Sequence, residues 1–356
     1  MNKLIYLTFF AALLIIACSK DQLTEPEIDN GIPVVKADST YTVLQETNIT
    51  YADGLSHSTS STTSFSIPLK LDIYYPENNF SNRPVFMFIH GGGFTGGTKT
   101  KPEIVEMANY YASRGWFFVS IDYRTTEELG DISGMSPQDV QTYYTGLAPH
   151  EWVDTAIQGS QNVNQVKQAI AMYLAQRDSK AALRWIMANA STYNINKDFI
   201  TVGGASAGAI TTIALGISNE EDFRDEISIS NDPTLSTTNL GQSYNVRSMI
   251  YFWGSNIKLD VFEAVYNLNK YDRYDSSDPE LFMGHGTAQD LVTPYQEALE
   301  LQSIYDSLGI YNKLATLTLP NGNPAGHGAW NGVVDGIGIF ELSFDFLVER
   351  QNLTVE

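Results

Sequence analysis

The feature that most constrains the fold of this 356-residue chain is a series of short, continuous apolar runs. They are VFMFIH (85–90), FFVSID (117–122), FITVGG (199–204), MIYFWG (249–254), LFMGHG (281–286) and LATLTL (314–319). Runs without apolar–polar alternation are typical of strands that are buried on both faces of a parallel sheet. The sequence therefore predicts a sheet covered by helices on both sides.

Segments with helical character lie between these runs. They are PEIVEMANYYASRG (102–115) and the stretches 166–190, 293–309 and 338–351. In the third, Thr293 is expected to be the N-cap and Pro294 the first helical residue. Two earlier segments, 41–51 and 64–76, alternate as half-buried antiparallel strands do. We therefore predict an α/β fold with a mostly parallel central sheet of about eight strands flanked by helices.

The N-terminus has the pattern of a targeting segment. Lys3 precedes an apolar run over 4–17 that is too short for a confident transmembrane helix and is typical of a signal peptide. The polar stretch that follows contains Pro26 and Pro33. We predict a signal peptide over 1–17, a tether over 18–40 and a catalytic domain over 41–356.

Cys18 is the only cysteine, so no intramolecular disulfide is expected. The residues "IIAC" that end at Cys18 are similar to the lipobox of bacterial lipoproteins. That resemblance implies that Cys18 is lipidated and anchors the protein to a bacterial membrane, on the periplasmic side or at the cell surface. The alternative is a plain secretory signal and a secreted protein.

The charge excludes one class of partner. The chain carries 21 basic and 41 acidic residues, a net charge of −20. Binding to nucleic acid requires clusters of Lys and Arg against the phosphates, so no nucleic-acid partner is expected. The acidity favours a soluble, exported protein.

The segment from about 125 to 165 interrupts the alternation of strands and helices. It lacks clear periodicity and contains Tyr143, Tyr144 and Trp152. Long irregular segments in compact domains are often functional. We predict an insertion after the fourth strand that lies over the site and whose aromatic side chains contact an aryl or sugar ester. The alternative is that this segment is a surface insertion without a functional role.

Ser206 lies in the stretch "GASAG" (204–208), between an apolar run and a helical segment. This fits G-x-S-x-G in the strand–turn–helix context of a nucleophile elbow. The pattern also occurs at close strand–helix contacts, so Ser206 needs a base and an orienting acid to be a nucleophile.

Candidate partners follow Ser206 in the chain order Ser, Asp, His. His327 in "GHG" and Asp290 in "GHGTAQD" both come just after an apolar run, at the edge where open parallel sheets place their sites. His285 lies within a run and is expected to be a packed residue. Alternative acids upstream of Asp290 are Asp272, Asp275 and Asp278.

The glycine-rich stretch "IHGGGFTGG" (89–97) follows a buried run and is expected to supply backbone N–H donors for an oxyanion. It also matches the dinucleotide fingerprint G-x-G-x-x-G. In that fingerprint a helix begins directly at the glycines, whereas here the segment "TGGTKTKP" lies between the first glycines and the next helical segment. The stretch does not match a Walker A motif, because Thr98 follows Gly97 where that motif has a lysine. No metal-ligand spacing occurs, and neither a cofactor nor a metal is expected.

Taken in order, HGGGF, the "DYR" at 122–124, GxSxG, HGTAQD and GHG resemble the α/β-hydrolase fold over about residues 66–350. More narrowly, they are similar to HGGG-type carboxylesterases, the hormone-sensitive-lipase-like group and its feruloyl or acetyl esterase relatives. The sequence departs from that family at Ala205, where an acidic residue or His is common, and in the length of the segment after DYR.

The resemblance implies a role for each matching residue. Ser206 is the expected nucleophile, His327 the general base and then acid, and Asp290 the residue that orients His327. The expected oxyanion donors are Gly92, Gly93 and Ala207, and His90 is expected to brace the glycine loop.

The expected function is that of an exported serine carboxylesterase. It would hydrolyse small-molecule or polymer-linked esters, aryl or sugar esters among them, through an acyl-enzyme. A peptidase, lipase or polyester hydrolase with the same three residues is an alternative. A non-catalytic surface binding lipoprotein is another.

Overall fold

The computed structural model describes residues 31–59, 61–256 and 273–356. The predicted signal peptide, Cys18, the tether up to residue 30 and the alternative acid Asp272 lie outside the described residues. Within the described ranges, no helix is both long enough and apolar enough to cross a membrane.

A central sheet of eight strands forms the core of the fold. The strands are β1 (Val43–Ser56), β2 (Phe65–Pro76), β3 (Arg83–Ile89), β4 (Phe117–Ile121), β5 (Ile195–Ala205), β6 (Ser248–Phe252), β7 (Glu280–Gly286) and β8 (Asn312–Leu317). Their order is β1-β2-β4-β3-β5-β6-β7-β8. β1 and β2 pair antiparallel, as do β2 and β4, and the remaining neighbours pair in parallel. The predicted mostly parallel sheet of about eight strands is confirmed.

Helices cover both faces of the sheet. They are α1 (Pro102–Ala112), α2 (Pro137–Tyr143), α3 (His150–Gly159), α4 (Val163–Ala188), α5 (Ala207–Gly216), α6 (Tyr295–Leu308) and α7 (Ile339–Gln351). Side chains alternate between faces along a strand. In β3, Met87 therefore joins the cluster packed against α4, α5 and α6, whereas Phe86 and Phe88 join the one packed against α1 and α7. Burial on both faces explains the continuous apolar runs.

The expected cap of α6 is wrong. Pro294 is the N-cap, the helix begins at Tyr295, and no side chain caps its first turn. The Thr293 hydroxyl contacts Asp290 and His327 instead. The preference of threonine for helix N-caps is thus overridden by a tertiary contact.

The segment after β4, the fourth strand of the sheet, folds into a 3₁₀ turn (Thr126–Glu128) followed by α2 and α3. Tyr143, Tyr144 and Trp152 are buried in the main core. The indole N–H of Trp152 donates to the carbonyl oxygen of Ala169 in α4 at 2.7 Å. The expectation that these rings contact a substrate is wrong, because they pack the insertion against α4 and the rest of the core.

The last part of the predicted tether is docked on the domain. Val34–Val35 pairs in parallel with Thr354–Val355, and Val35 is fully buried. Lys36 forms an ion pair with Glu356 at 2.8 Å. The interpretation of the whole stretch 18–40 as a tether is therefore wrong for these residues, because Val34–Val35 pairs with the C-terminal strand and Val35 packs in the core.

A buried ion pair joins the end of β4 to α4. Two nitrogens of the Arg124 guanidinium donate to Asp178, at 2.5 Å for the shortest contact, and a third donates to the carbonyl oxygen of Leu55. Both side chains are at least 98% buried. Such a pair needs complete hydrogen bonding to offset the loss of hydration. It fixes the middle of α4, whose N-terminal half lies beside Ser206.

Candidate active site

Ser206 lies in a strained turn between β5 and α5. Its φ of 56° and ψ of −120° lie in a region that non-glycine residues rarely adopt. Two sets of backbone hydrogen bonds hold the turn. The Ser206 N–H donates to Phe252 O at 2.9 Å, and the Ser206 carbonyl accepts from Ala209 N–H and Ile210 N–H. The strain presents the hydroxyl at the carboxyl edge of the sheet, as a nucleophile elbow does.

The glycines of the GASAG motif are required by close backbone packing. A methyl group on Gly208 would lie 2.7 Å from His90 O and closer still to Ile89 O. A methyl group on Gly204 would collide with the backbone of Gly208. The start of α5 thus packs directly on the end of β3 at Gly208 and on the end of β5 at Gly204, which leaves no room for a side chain at either position.

The structure brings Ser206, His327 and Asp290 together. His327 Nε2 lies 3.0 Å from Ser206 Oγ, and His327 Nδ1 lies 2.8 Å from Asp290 Oδ2. Asp290 follows β7 and His327 follows β8, so all three residues lie at the carboxyl ends of strands. Neutral His327 with its proton on Nδ1 can donate to the carboxylate and accept the proton of the serine hydroxyl.

Asp290 is a saturated hydrogen-bond acceptor. Oδ1 accepts from Val292 N–H at 2.8 Å and Thr293 N–H at 3.1 Å, and Oδ2 accepts from the Thr293 hydroxyl at 2.8 Å as well as from His327. Burial by itself would raise the pKa of this carboxyl. The hydrogen bonds outweigh it and lower the pKa to about 2. Asp290 is therefore ionised at neutral pH and suited to stabilise a cationic imidazole.

The alternative acids within the described residues bond locally instead. Asp275 accepts hydrogen bonds from Ser277, and Asp278 accepts one from the backbone N–H of Asp275. Burial raises the pKa of Asp278 to about 7. Of these three carboxylates, Asp290 is the one that contacts His327.

The glycine loop after β3 faces the serine. Gly92 has φ 128° and Gly93 has φ 60°. Thr95 N–H donates to Gly92 O at 3.0 Å, and Gln168 Nε2 of α4 donates to Gly93 O at 2.9 Å. In the part of the chain that the structure describes, the N–H groups of Gly92, Gly93 and Ala207 donate to no other protein group. These are the three expected oxyanion donors.

His90 lies beneath this loop. Its ring is 2% exposed and stacks on Tyr123, with ring centroids 4.4 Å apart. Burial lowers the pKa of His90, so the ring is neutral at neutral pH, and Nδ1 lies 2.7 Å from Gly91 O. The Tyr123 hydroxyl donates to His90 O at 3.0 Å. These contacts hold the His90 ring against Tyr123 and the backbone at the start of the loop.

His285, expected to be packed, is 2% exposed, and its Nδ1 lies 2.9 Å from Gly286 O. Across the described ranges, no group of three or more His, Cys, Asp or Glu side chains is arranged to hold a metal ion.

Two cavities meet at Ser206. The first, of about 330 Å³, is lined by apolar groups of Phe94, Met172 and Ile210, and by Ala207. The second, of about 430 Å³, is lined by His327 and by Trp253 and Trp330. Val292 and Gly93 line both. The site can therefore hold a molecule that extends from Ser206 into both cavities.

Two site residues were missed by the sequence reasoning. Gln168 carries no motif; only its position in the first half of an amphipathic helix hinted at a surface facing the glycine loop. Thr293 had one signal, its position just after Asp290, in a loop where an aspartate side chain commonly accepts hydrogen bonds from the backbone that follows it. That signal was attributed to helix capping.

Known proteins resemble parts of this chain in sequence. Residues 71–141 and 162–264 match the model of the BD-FAE family, and the gap between the two segments falls in the insertion. Para-nitrobenzyl esterase of Bacillus subtilis (strain 168) is 25% identical over 147 residues, which are 41% of this chain. The match spans about a quarter of that relative's length, 24%.

Solved esterase structures share the fold. Thermogutta terrifontis esterase 2 phosphorylated by paraoxon has a TM-score of 0.54 and 19% identity, covering 86% of this chain and 94% of that one. A truncated form of a carbohydrate esterase from gut microbiota has a TM-score of 0.52 and 19% identity, covering 89% and 99%. The chain has the α/β-hydrolase fold, and the segments that match the BD-FAE family model cover just under half of its residues.

Proposed function

We propose that the protein is a serine carboxylesterase of the HGGG type, with Ser206, His327 and Asp290 as its catalytic triad. The observation that carries the proposal is the continuous hydrogen-bonded chain from the serine hydroxyl through His327 to an ionised Asp290, at 3.0 and 2.8 Å. The BD-FAE match and the esterase relatives support ester hydrolysis over peptide hydrolysis.

Acylation follows from this geometry. His327 Nε2 takes the proton of Ser206 as Oγ forms a bond to the ester carbonyl carbon. The negative charge moves to the carbonyl oxygen, within reach of the N–H groups of Gly92, Gly93 and Ala207. When the tetrahedral intermediate collapses, the bond to the alcohol oxygen breaks, and that oxygen takes the proton from Nε2. Asp290 stabilises the transient imidazolium.

Deacylation repeats these steps with water. His327 removes a proton from the water molecule that attacks the acyl-enzyme, and then returns it to Ser206 Oγ as the acid leaves. Neither step requires a cofactor.

The two cavities give the orientation of the substrate. The leaving alcohol must accept a proton from His327, so it lies in the cavity that contains this residue together with Trp253 and Trp330. The acyl group then occupies the apolar cavity beside Ala207. Aromatic walls on the alcohol side suit the ring of an aryl or sugar alcohol. Small, aryl and sugar esters are therefore the proposed substrates.

The test is hydrolysis of a panel of p-nitrophenyl esters, acetate to palmitate, beside a peptide p-nitroanilide. We expect turnover of the short esters that is lost in Ser206→Ala and kept in Ser218→Ala, a control two residues beyond α5. Preference for palmitate would favour a lipase and cleavage of the anilide a peptidase. Absence of any Ser206-dependent hydrolysis would favour the non-catalytic binding protein.

We also propose that Cys18 is acylated and anchors the enzyme to a bacterial membrane. The motif "IIAC" at the end of the predicted signal peptide supports this. More than one acyl chain is needed for a stable anchor, as the lipoprotein resemblance supplies. Metabolic labelling with an alkyne fatty acid is expected to label the wild type and not Cys18→Ser. Equal labelling of both, or of neither, contradicts the anchor.

A further inference from the structure

We propose that Thr293 is a positioning residue of the triad, whose hydroxyl clamps the Asp290 carboxylate and the His327 ring in their working orientation. The inference rests on the proposed esterase function.

Three polar atoms form a closed triangle at this point. Thr293 Oγ1 lies 2.8 Å from Asp290 Oδ2 and 2.9 Å from His327 Nδ1, and Oδ2 lies 2.8 Å from Nδ1. Each atom of the triangle is thus within hydrogen-bond distance of the other two.

Two protons serve these three contacts. The ionised carboxylate has none, the hydroxyl has one, and Nδ1 carries the other when Nε2 is free to accept from Ser206. The hydroxyl proton therefore points to Oδ2, and the Nδ1 proton is shared between Oδ2 and the lone pair of Thr293 Oγ1. The carboxylate cannot rotate without losing the hydroxyl, and the ring cannot swing without losing both acceptors.

The His327 ring needs such a clamp. Its side chain is 37% exposed, and it lies between Gly326 and Gly328, the latter with φ 76°. A half-exposed ring on a glycine-flanked loop has little packing to fix its rotation. The contacts on the Nδ1 side supply that orientation.

Thr293 itself is held firmly. It is 1% exposed, its backbone N–H donates to Asp290 Oδ1 at 3.1 Å, and Pro294 follows it. Its hydroxyl thus has a fixed position before any substrate binds. A valine in this place keeps the shape and loses the hydroxyl, whereas a serine keeps the hydroxyl and loses a methyl group.

This difference separates a positioning role from a packing role. We expect Thr293→Val to lower kcat about tenfold, from loss of a hydrogen bond to a charged group, with KM for p-nitrophenyl acetate close to wild type. Thr293→Ser should restore kcat. Thr238→Val, which removes a buried hydroxyl bonded to Leu235 O, is the matched control and should keep full activity. Wild-type kcat in Thr293→Val, or equal loss in Thr293→Ser, overturns the proposal.

A second readout does not depend on turnover. The His327 Nδ1 proton, assigned by its loss in His327→Gln, should exchange slowly with solvent in the wild type and in Thr293→Ser, and faster in Thr293→Val. If the wild type lacks Ser206-dependent hydrolysis, the proposed function fails while this NMR measurement still decides the clamp. Equal exchange rates in wild type and Thr293→Val overturn it.

Discussion

Replacing Gly208 with alanine tests whether close backbone packing sets the position of the elbow. The added methyl group would lie 2.7 Å from His90 O and nearer still to Ile89 O, whereas ordinary contacts begin at 3.4 Å. Both obstacles are backbone carbonyls at the end of β3, so a side-chain rotation cannot relieve them. The start of α5 must move away from β3.

The size of that movement sets the expected loss. Relief of the contacts requires a displacement of about 1 Å, which carries Ser206 and the Ala207 N–H away from His327, and a misplacement of this size costs about 100-fold in rate. The strain should also lower the free energy of unfolding by about 1–3 kcal/mol, as overpacking does. We therefore expect a folded protein that has lost most of its activity.

The assay is kcat/KM on p-nitrophenyl acetate together with urea unfolding. Gly216→Ala is the matched control at the other end of α5, where the new methyl group would meet only the end of the flexible Met249 side chain. It should stay active. A Gly208→Ala protein as active and as stable as Gly216→Ala would refute the packing argument.

Three further predictions concern Asp178, Asp290 and Gln168. Asp178→Asn leaves the buried Arg124 guanidinium without its counter-charge, and urea unfolding should show a loss of about 3–5 kcal/mol; a loss near zero contradicts this. The pKa of Asp290 is lowered from 3.8 to about 2, so its ionised form adds about 2 kcal/mol of stability, which is present above pH 3.8 and lost as the pH falls through about 2. The free energies of unfolding of the wild type and of Asp290→Asn should therefore converge as the pH falls from 3.8 to about 2. A difference between them that does not change with pH would contradict the lowered pKa of Asp290. Gln168→Leu removes the donor to Gly93 O and should lower kcat for p-nitrophenyl acetate about fivefold, and unchanged kcat would exclude a bracing role.

The sequence predicted the sheet because its strands are buried on both faces. Continuous apolar runs such as 85–90 and 117–122 are explained by strands with helices packed on both faces, because the chain also contains the amphipathic helical segments that can cover them. Ser206 and His327 were predictable for a related reason. Each follows such a run and is flanked by glycine or alanine, so the topology alone places both at one edge of the sheet.

The remaining errors arise where tertiary contacts override local preference. Thr293 has the sequence context of an N-cap, yet its hydroxyl bonds to Asp290 and His327 across the loop. Tyr144 and Trp152 lie in a segment without clear periodicity, and burial beneath α4 cannot be read from such a pattern. Val35 belongs to a polar, proline-containing stretch, and its partner strand lies at the far end of the chain.

The most direct test of the account is covalent labelling with a fluorophosphonate, followed by peptide mapping. The account predicts one label per chain on Ser206, no label in Ser206→Ala and strongly slowed labelling in His327→Gln, because His327 removes the serine proton. Label elsewhere, or a properly folded wild type that stays unlabelled, would contradict a catalytic Ser206.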